Sequence, residues 1–137
     1  MKKFITLLTL MVCWSVQADA DKIWYKHKEI PLPEVTQSRL NTKLKLLELV
    51  SLRQWNIVGQ TSDSFDMSLK NCNLKISFTD KSIVISHDRF QKNNNSSTSK
   101  KPECSRNWLS NVAKDINATL TIMSVQQEAI NLEEVVQ

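Results

Sequence analysis

Glycine is almost absent from this chain, in which Gly59 is the single glycine among 137 residues. Loops that cradle a phosphate group need several glycines at fixed spacing, because only glycine lets the backbone pass close to the anion. The sequence therefore argues against the familiar nucleotide-binding loops, and we predict that the protein uses no cofactor.

Histidine is also scarce, since His27 and His87 are the only two in the chain. They lie far apart in the sequence, and neither stands at the spacing that metal ligands usually show. We therefore predict no metal site. His87 and Asp88 are adjacent and raise the alternative of acid–base catalysis. A solvated strand end is the simpler interpretation, so we predict no catalytic residue.

No apolar run is long enough to cross a membrane as a helix. The run "FITLLTLMVCWSV" follows Lys2 and Lys3, and it is followed by Ala18 and Ala20 at the A-x-A spacing of a signal-peptidase site. These features predict a bacterial signal peptide over residues 1–20, with cleavage after Ala20 or, alternatively, after Ala18. The predicted location is the periplasm.

Cys13 lies at the end of that run and raises the alternative of a lipoprotein. Val12 stands directly before Cys13, where a lipidation signal has a small residue. This argues against lipidation. We predict that residues 21–137 form a single periplasmic α+β domain without a transmembrane segment.

The chain has only a small excess of positive over negative charge. The formal net charge is +4, and it falls to +3 once Lys2, Lys3 and Asp19 are removed with the signal peptide. A charge this small gives no electrostatic basis for binding a polyanion. We therefore predict no nucleic-acid partner.

Cysteine is limited to three residues, and removal of Cys13 leaves Cys72 and Cys104. An even number in an oxidising compartment predicts a disulfide between them. Cys104 lies at the start of a predicted helix among basic residues, which favours a reactive thiolate and raises the alternative of a nucleophile. The chain has no C-x-x-C pair and no histidine near Cys104, so we predict the disulfide.

Hydrophobic periodicity predicts the first helix over residues 34–54. Leu40, Leu44 and Leu47 recur at i, i+4 and i+7 and are followed by Val50 or Ser51 at i+10 or i+11, which places them on one face at 3.6 residues per turn. We expect that face to be buried. Leu46, Leu49 and Leu52 widen the apolar arc, so the helix is expected to bury more than one side.

Strict alternation of apolar and polar residues then predicts three strands, around residues 65–69, 74–78 and 83–86. The links between them are short, which favours antiparallel neighbours and hence a meander. Residues 91–102, "QKNNNSSTSKKP", are polar and of low complexity, and we predict a loop there.

The helical period returns in the C-terminal segment, where Ser105 is the predicted N-cap. The apolar residues at helical spacing are Leu109, Val112, Ala113, Ile116, Leu120 and Met123. The β-branched residues after Ala118 weaken the helix, and Ser124 with Gln127 has capping-box spacing. The segment is therefore either one bent helix or two. The predicted fold is α+β, a three-stranded antiparallel meander packed against an N-terminal and a C-terminal helix, with one disulfide.

Three features carry a resemblance to known proteins. Two are short motifs, whose residues are Arg53, Trp55, Trp108, Asn111, Asp115 and Ile116. The third is the pair of alternating segments between them, Leu74 to Phe78 and Ile83 to His87. With these motifs, roughly residues 40–120 resemble a family of small exported proteins of Gram-negative bacteria, many of them lipoproteins, with no established activity. Gln54 stands where the family usually has glycine, and Ser105 and Arg106 stand where it commonly has Tyr-Asn. The resemblance implies a fold with this order of elements and implies no activity.

The motif residues have two interpretations each. Trp55 and Trp108 are either core anchors, the interpretation we favour, or an aromatic binding platform. Asn111 and Asp115 share a helix face. They have either a structural role, the interpretation we favour, or form a polar recognition site. Ile116 is expected in the core.

We expect a small non-enzymatic binding or accessory protein of the cell envelope, of the kind that inhibitor and immunity proteins represent, with an envelope protein as its partner. One alternative is a thiol-dependent or hydrolytic enzyme that uses Cys104 or the pair His87 and Asp88. Another is an envelope structural protein that self-associates through an exposed sheet face or the C-terminal helix. The sequence leaves the oligomeric state open.

Overall fold

The computed structural model of the protein describes residues 23–88 and 104–136. The predicted signal peptide over residues 1–20 and the predicted polar loop over residues 91–102 lie outside the described residues. The elements, in chain order, are β1 (Trp24–Pro31), α1 (Arg39–Leu52), β2 (Asn56–Thr61), β3 (Ser64–Leu69), β4 (Cys72–Phe78), β5 (Ser82–Asp88) and α2 (Arg106–Val136).

The described strands form one five-stranded antiparallel sheet in the order β1-β5-β4-β3-β2. The predicted α+β class is confirmed, and the predicted meander corresponds to β3, β4 and β5. The predicted number of three strands is wrong, because the sheet has a further strand at each edge.

The two missed strands are edge strands whose pattern is interrupted by a bulge. The register of β1 against β5 shifts between Lys26 and Lys28, and that of β2 against β3 shifts between Ile57 and Gly59. A bulge breaks strict alternation, and an edge strand tolerates charged residues and proline. The segment ending at Pro31 therefore lacks the strict alternation that predicts a strand.

The core lies between one face of the sheet and both helices. Phe65, Ile76 and Ile85 lie side by side across β3, β4 and β5, and all three are fully buried. The remaining apolar core residues of the sheet are Ile30, Met67, Leu74, Phe78 and Ile83, and those of the helices are Leu46, Val50, Leu109, Val112, Ala113, Ile116 and Leu120. Alternate strand positions thus supply one continuous apolar layer.

Helix α1 begins at Arg39, later than predicted, because Ser38 caps it by accepting the Asn41 N–H at 3.1 Å. The predicted buried face is also wrong in part. Leu40 and Leu44 are 63% and 55% exposed. The buried residues of α1 are Thr42, Leu46 and Val50. Leucines surround most of this helix, so their spacing alone did not select the face that packs on the sheet.

The end of α1 is a Schellman motif centred on Gln54. The Trp55 N–H donates to the Val50 carbonyl, and the Gln54 N–H donates to the Ser51 carbonyl, both at 3.0 Å. Gln54 adopts φ 70°, a left-handed conformation that glycine adopts more readily. This turn directs the chain into β2 and sets Trp55 against the core.

Helix α2 is one continuous helix from Arg106 to Val136, which resolves the alternative of two helices. Ser105 caps it, because its Oγ accepts the Trp108 N–H at 3.2 Å. All six predicted apolar residues from Leu109 to Met123 are buried. Thr119 donates its hydroxyl to the Asp115 carbonyl at 2.8 Å, so the threonines are accommodated within the helix. Neither described helix has the length and hydropathy needed to cross a membrane.

Candidate functional site

The predicted cysteine pair lies where α2 meets the sheet. Cys72 is the first residue of β4, and Cys104 directly precedes the N-cap of α2. Their sulfur atoms are 2.09 Å apart, at disulfide-bond distance, and their Cα atoms are 4.6 Å apart. The bond fixes the beginning of α2 beside the turn that joins β3 to β4.

Beside this bond the two motif tryptophans pack against each other. The ring centroids of Trp55 and Trp108 lie 6.2 Å apart at an interplanar angle of 77°, an edge-to-face contact. Trp55 is buried, as a core anchor would be, whereas Trp108 is only half-buried. The exposed part of the Trp108 ring is therefore an aromatic surface that packs on the buried ring of Trp55.

An ion pair connects the end of α1 with α2. The Nε of Arg53 lies 3.2 Å from Oδ2 of Asp115, and its Nη2 lies 3.4 Å from Oδ1 of the same carboxylate. The guanidinium thus meets the carboxylate as a two-pronged fork, a geometry that fixes both side chains. The Arg53 side chain remains 63% exposed, so it keeps N–H donors available to a partner.

These contacts surround a surface groove of about 410 Å³, which we name the tryptophan groove. It is lined by Arg53, Trp55, Leu69, Trp108, Asn111, Val112, Lys114 and Asp115. The ammonium of Lys70 lies 5.9 Å from the Trp108 ring centroid, within range of a cation–π contact. Three cationic side chains and one carboxylate therefore border an apolar floor.

The structure brings together five of the residues that the resemblance singled out: Arg53, Trp55, Trp108, Asn111 and Asp115 all line the groove. Ile116 does not, because it is fully buried in the core. Asn111 is exposed on the groove wall, and the structural role that we favoured for it stays a prediction. Its amide is available for polar recognition.

The groove also contains residues that the sequence analysis missed, namely Leu69, Val112 and Lys114 at its lining and Lys70 at its border. A signal for Leu69 and Lys70 was present in the chain. They lie just before Cys72, and Trp108 lies four residues after Cys104. The predicted disulfide therefore places the two segments side by side.

The residues considered for catalysis lie elsewhere and are not brought together. Cys104 is at bonding distance from Cys72. His87 and Asp88 are successive residues of β5, so their side chains point to opposite faces of the sheet. His87 stacks on Tyr25 with ring centroids 6.0 Å apart, and Asp88 accepts the Asn73 amide at 3.0 Å. Both are buried, so the predicted solvated strand end is wrong.

The other histidine, His27, lies in the bulge of β1. Partial burial of its ring lowers the pKa of His27, and the charge of Lys28 beside it lowers that pKa further. Across residues 23–88 and 104–136, no group of three His, Cys, Asp or Glu side chains is arranged to hold a metal ion.

The outer face of the sheet, which points away from the helices, is polar and paired. The Lys75 ammonium lies 3.2 Å from Oδ1 of Asp66 on the neighbouring strand. Asn73 and Asp88 form a further cross-strand hydrogen bond on the same face. The Lys75 ammonium also lies 5.1 Å from the centroid of the Trp24 ring, at the β1 edge of this face.

Comparison of the chain with models of protein families, with curated proteins and with solved structures finds no match. The function is therefore inferred from the residues of the groove.

Proposed function

We propose that this protein is an exported, non-enzymatic binding protein whose recognition surface is the tryptophan groove. The observation that carries the proposal is the half-buried Trp108 beside the exposed guanidinium of Arg53. Tryptophan and arginine are the residue types most enriched among the side chains that dominate binding energy at protein interfaces. The groove residues include no histidine, cysteine or hydroxyl nucleophile.

The partner that suits this groove is an envelope protein that inserts an apolar or aromatic side chain next to an acidic one. The apolar side chain would pack on Trp108, Leu69 and Val112. The carboxylate would meet Arg53, with Lys70 and Lys114 nearby, because these cations outnumber the single carboxylate of Asp115 at the groove.

The groove is held in shape before any partner arrives. The disulfide fixes the N-terminal end of α2, and the Arg53–Asp115 ion pair joins the two helices. The ring of Trp55 packs edge-to-face against Trp108 and supports it from the core side. A preorganised surface loses little conformational entropy on binding, which favours affinity.

Export is part of the same proposal. A disulfide-distance pair is consistent with a protein that works in an oxidising compartment, and we place it in the periplasm through the predicted signal peptide. The φ of 70° at Gln54 supports the proposed kinship with the exported family, since a glycine is expected at a left-handed position.

We prefer this function to the enzyme alternatives for two reasons. Cys104 lies at bonding distance from Cys72 and is then no free thiolate. His87 and Asp88 lie on opposite faces of the sheet and share no cleft among the described residues.

Site-specific photocrosslinking in living cells tests the proposal. A photoreactive phenylalanine analogue replaces Asn111 on the groove wall, and in a matched control it replaces Val58, which is 60% exposed on the edge strand β2. We expect a discrete protein adduct from position 111 and none from position 58. Equal labelling at both positions, or none at position 111, would refute the groove as the binding surface.

A further inference from the structure

The last part of α2 extends beyond the body of the molecule. Between Arg106 and Val135, Met123 is the last buried residue of α2, and its carbonyl accepts the side-chain amide of Gln37 at 3.1 Å. No residue from Ser124 to Val135 is buried. We call residues 124–136 the overhang. At 1.5 Å per residue it is about 20 Å long.

The overhang continues an apolar stripe that begins one turn earlier. Ile122, Val125 and Leu132 are 55%, 59% and 69% exposed, and Ala129 lies between the last two. Their spacing of three, four and three residues is the spacing of a coiled-coil seam. A stripe of this kind normally packs against another helix.

Helix α1 carries a matching stripe on its outer face. Leu40 and Leu44 are exposed, and Leu47 is partly buried, at a spacing of four and three residues. With 14 residues, α1 is about 21 Å long, close to the length of the overhang. These are the leucines that the sequence predicted to be buried.

The overhang cannot reach α1 of its own chain. The Arg53–Asp115 pair and the Gln37–Met123 hydrogen bond show that α1 and α2 lie antiparallel, so α2 leaves the body at the N-terminal end of α1. Because α2 is one continuous helix, the overhang points away from α1. Contact between the two stripes needs a second molecule.

Charge selects which surface of the second molecule is contacted. The overhang carries Glu128, Glu133 and Glu134 and no basic residue, whereas α1 carries Arg39, Lys43 and Lys45 against one acidic residue, Glu48. Pairing of two overhangs would set glutamates against glutamates, which is unfavourable. Pairing of the overhang with α1 sets opposite charges together.

We propose that two copies of this chain form a symmetric dimer in which the overhang of each docks on the outer face of α1 of the other. The contact is reciprocal, as a two-fold axis requires. Because α1 and α2 are antiparallel, the two-fold axis sets each overhang parallel to the α1 that it contacts. A parallel register that sets Val125 against Leu40 also sets Leu132 against Leu47 and brings Glu133 next to Lys43. The tryptophan groove lies near the C-terminal end of α1, away from this contact, so both grooves of the dimer stay open.

Sedimentation velocity of the purified protein, over a range of micromolar concentrations, measures its mass in solution and so tests the dimer. We expect a monomer–dimer equilibrium. Leu44→Glu is expected to weaken it at least tenfold. The matched control is Leu52→Glu, which changes the most exposed leucine of α1, off the stripe, and should leave the equilibrium unchanged.

Charge exchange tests the register. Lys43→Glu and Glu133→Lys should each weaken the dimer, and the two together should restore it. A monomer at every concentration overturns the proposal. The proposal is also overturned if Val125→Glu abolishes the dimer while Leu44→Glu leaves it intact. That result would mean that the overhang of one molecule pairs with the overhang of the other.

Discussion

Gln54 joins α1 to the tryptophan groove through a backbone conformation that glutamine disfavours. Its φ of 70° allows the Schellman bonds that end the helix and turn Trp55 inward. A residue with a Cβ loses roughly 1–2 kcal/mol in the left-handed region. The turn is kept because Trp55 and Val50 on either side of it are buried in the core.

Replacement of Gln54 by glycine should therefore stabilise the protein. We expect Gln54→Gly to raise the free energy of unfolding by about 1 kcal/mol, measured by urea denaturation. Gln60→Gly is the control, because Gln60 lies in strand β2, where glycine costs roughly 0.5–1 kcal/mol. A loss of stability in Gln54→Gly would contradict the strain assigned to this residue.

The sequence allowed some groove residues to be recognised as parts of a motif, but it did not predict that they lie together in the structure. Trp108, Asn111 and Asp115 were recognisable by their resemblance to a family pattern, but their meeting with Arg53 was not. That contact spans 62 positions in the chain. Such a contact depends on how two helices pack, and local periodicity contains no information about it.

Among the elements, those in the centre of the sheet were the most predictable. Strands β3, β4 and β5 and the first half of α2 each face the core with one side, so their apolar residues recur at a regular period. The edge strands β1 and β2 were missed because bulges and solvent remove that regularity. The exposed leucines of α1 were mistaken for its core face because they recur at the same period.

Edge strand β1 contains His27, a group whose titration makes the stability of the fold depend on pH. The lowered pKa of His27 means that the folded state prefers the neutral ring. The stability this contributes is present above the ordinary pKa of 6.5. It is lost as the pH falls through the lower pKa of the folded state.

We therefore expect His27→Gln to make the unfolding midpoint less dependent on pH below 6.5, as measured by urea denaturation at a series of pH values. Lys28→Gln should remove only part of this dependence, since burial is the larger cause and the charge of Lys28 the smaller. An unchanged pH profile in His27→Gln would show that another group is responsible.

For the whole molecule, the disulfide is the connection between fold and groove. It joins positions 32 residues apart, and closing a loop of that size contributes about 3–4 kcal/mol in the chain-entropy model. A domain of this size has a total stability of roughly 5–15 kcal/mol. By restricting the unfolded chain, the bond thus supplies a large part of the stability of the fold that presents the groove.

Replacement of both cysteines should show this directly. The double variant Cys72→Ser, Cys104→Ser is expected to lose about 3–4 kcal/mol of unfolding free energy. The wild-type protein measured with reductant should lose a similar amount, which serves as the control. A double variant as stable as the oxidised protein would mean that the bond contributes nothing to the fold.

The affinity of the partner crosslinked at position 111 is the most direct measure of the central claim. We predict that Arg53→Ala weakens binding at least tenfold, about 1.4 kcal/mol, while the unfolding midpoint stays nearly the same because an exposed ion pair contributes little to stability. Val58→Ala on strand β2 should bind like the wild type. Equal affinity of wild type and Arg53→Ala would contradict the tryptophan groove as the recognition surface.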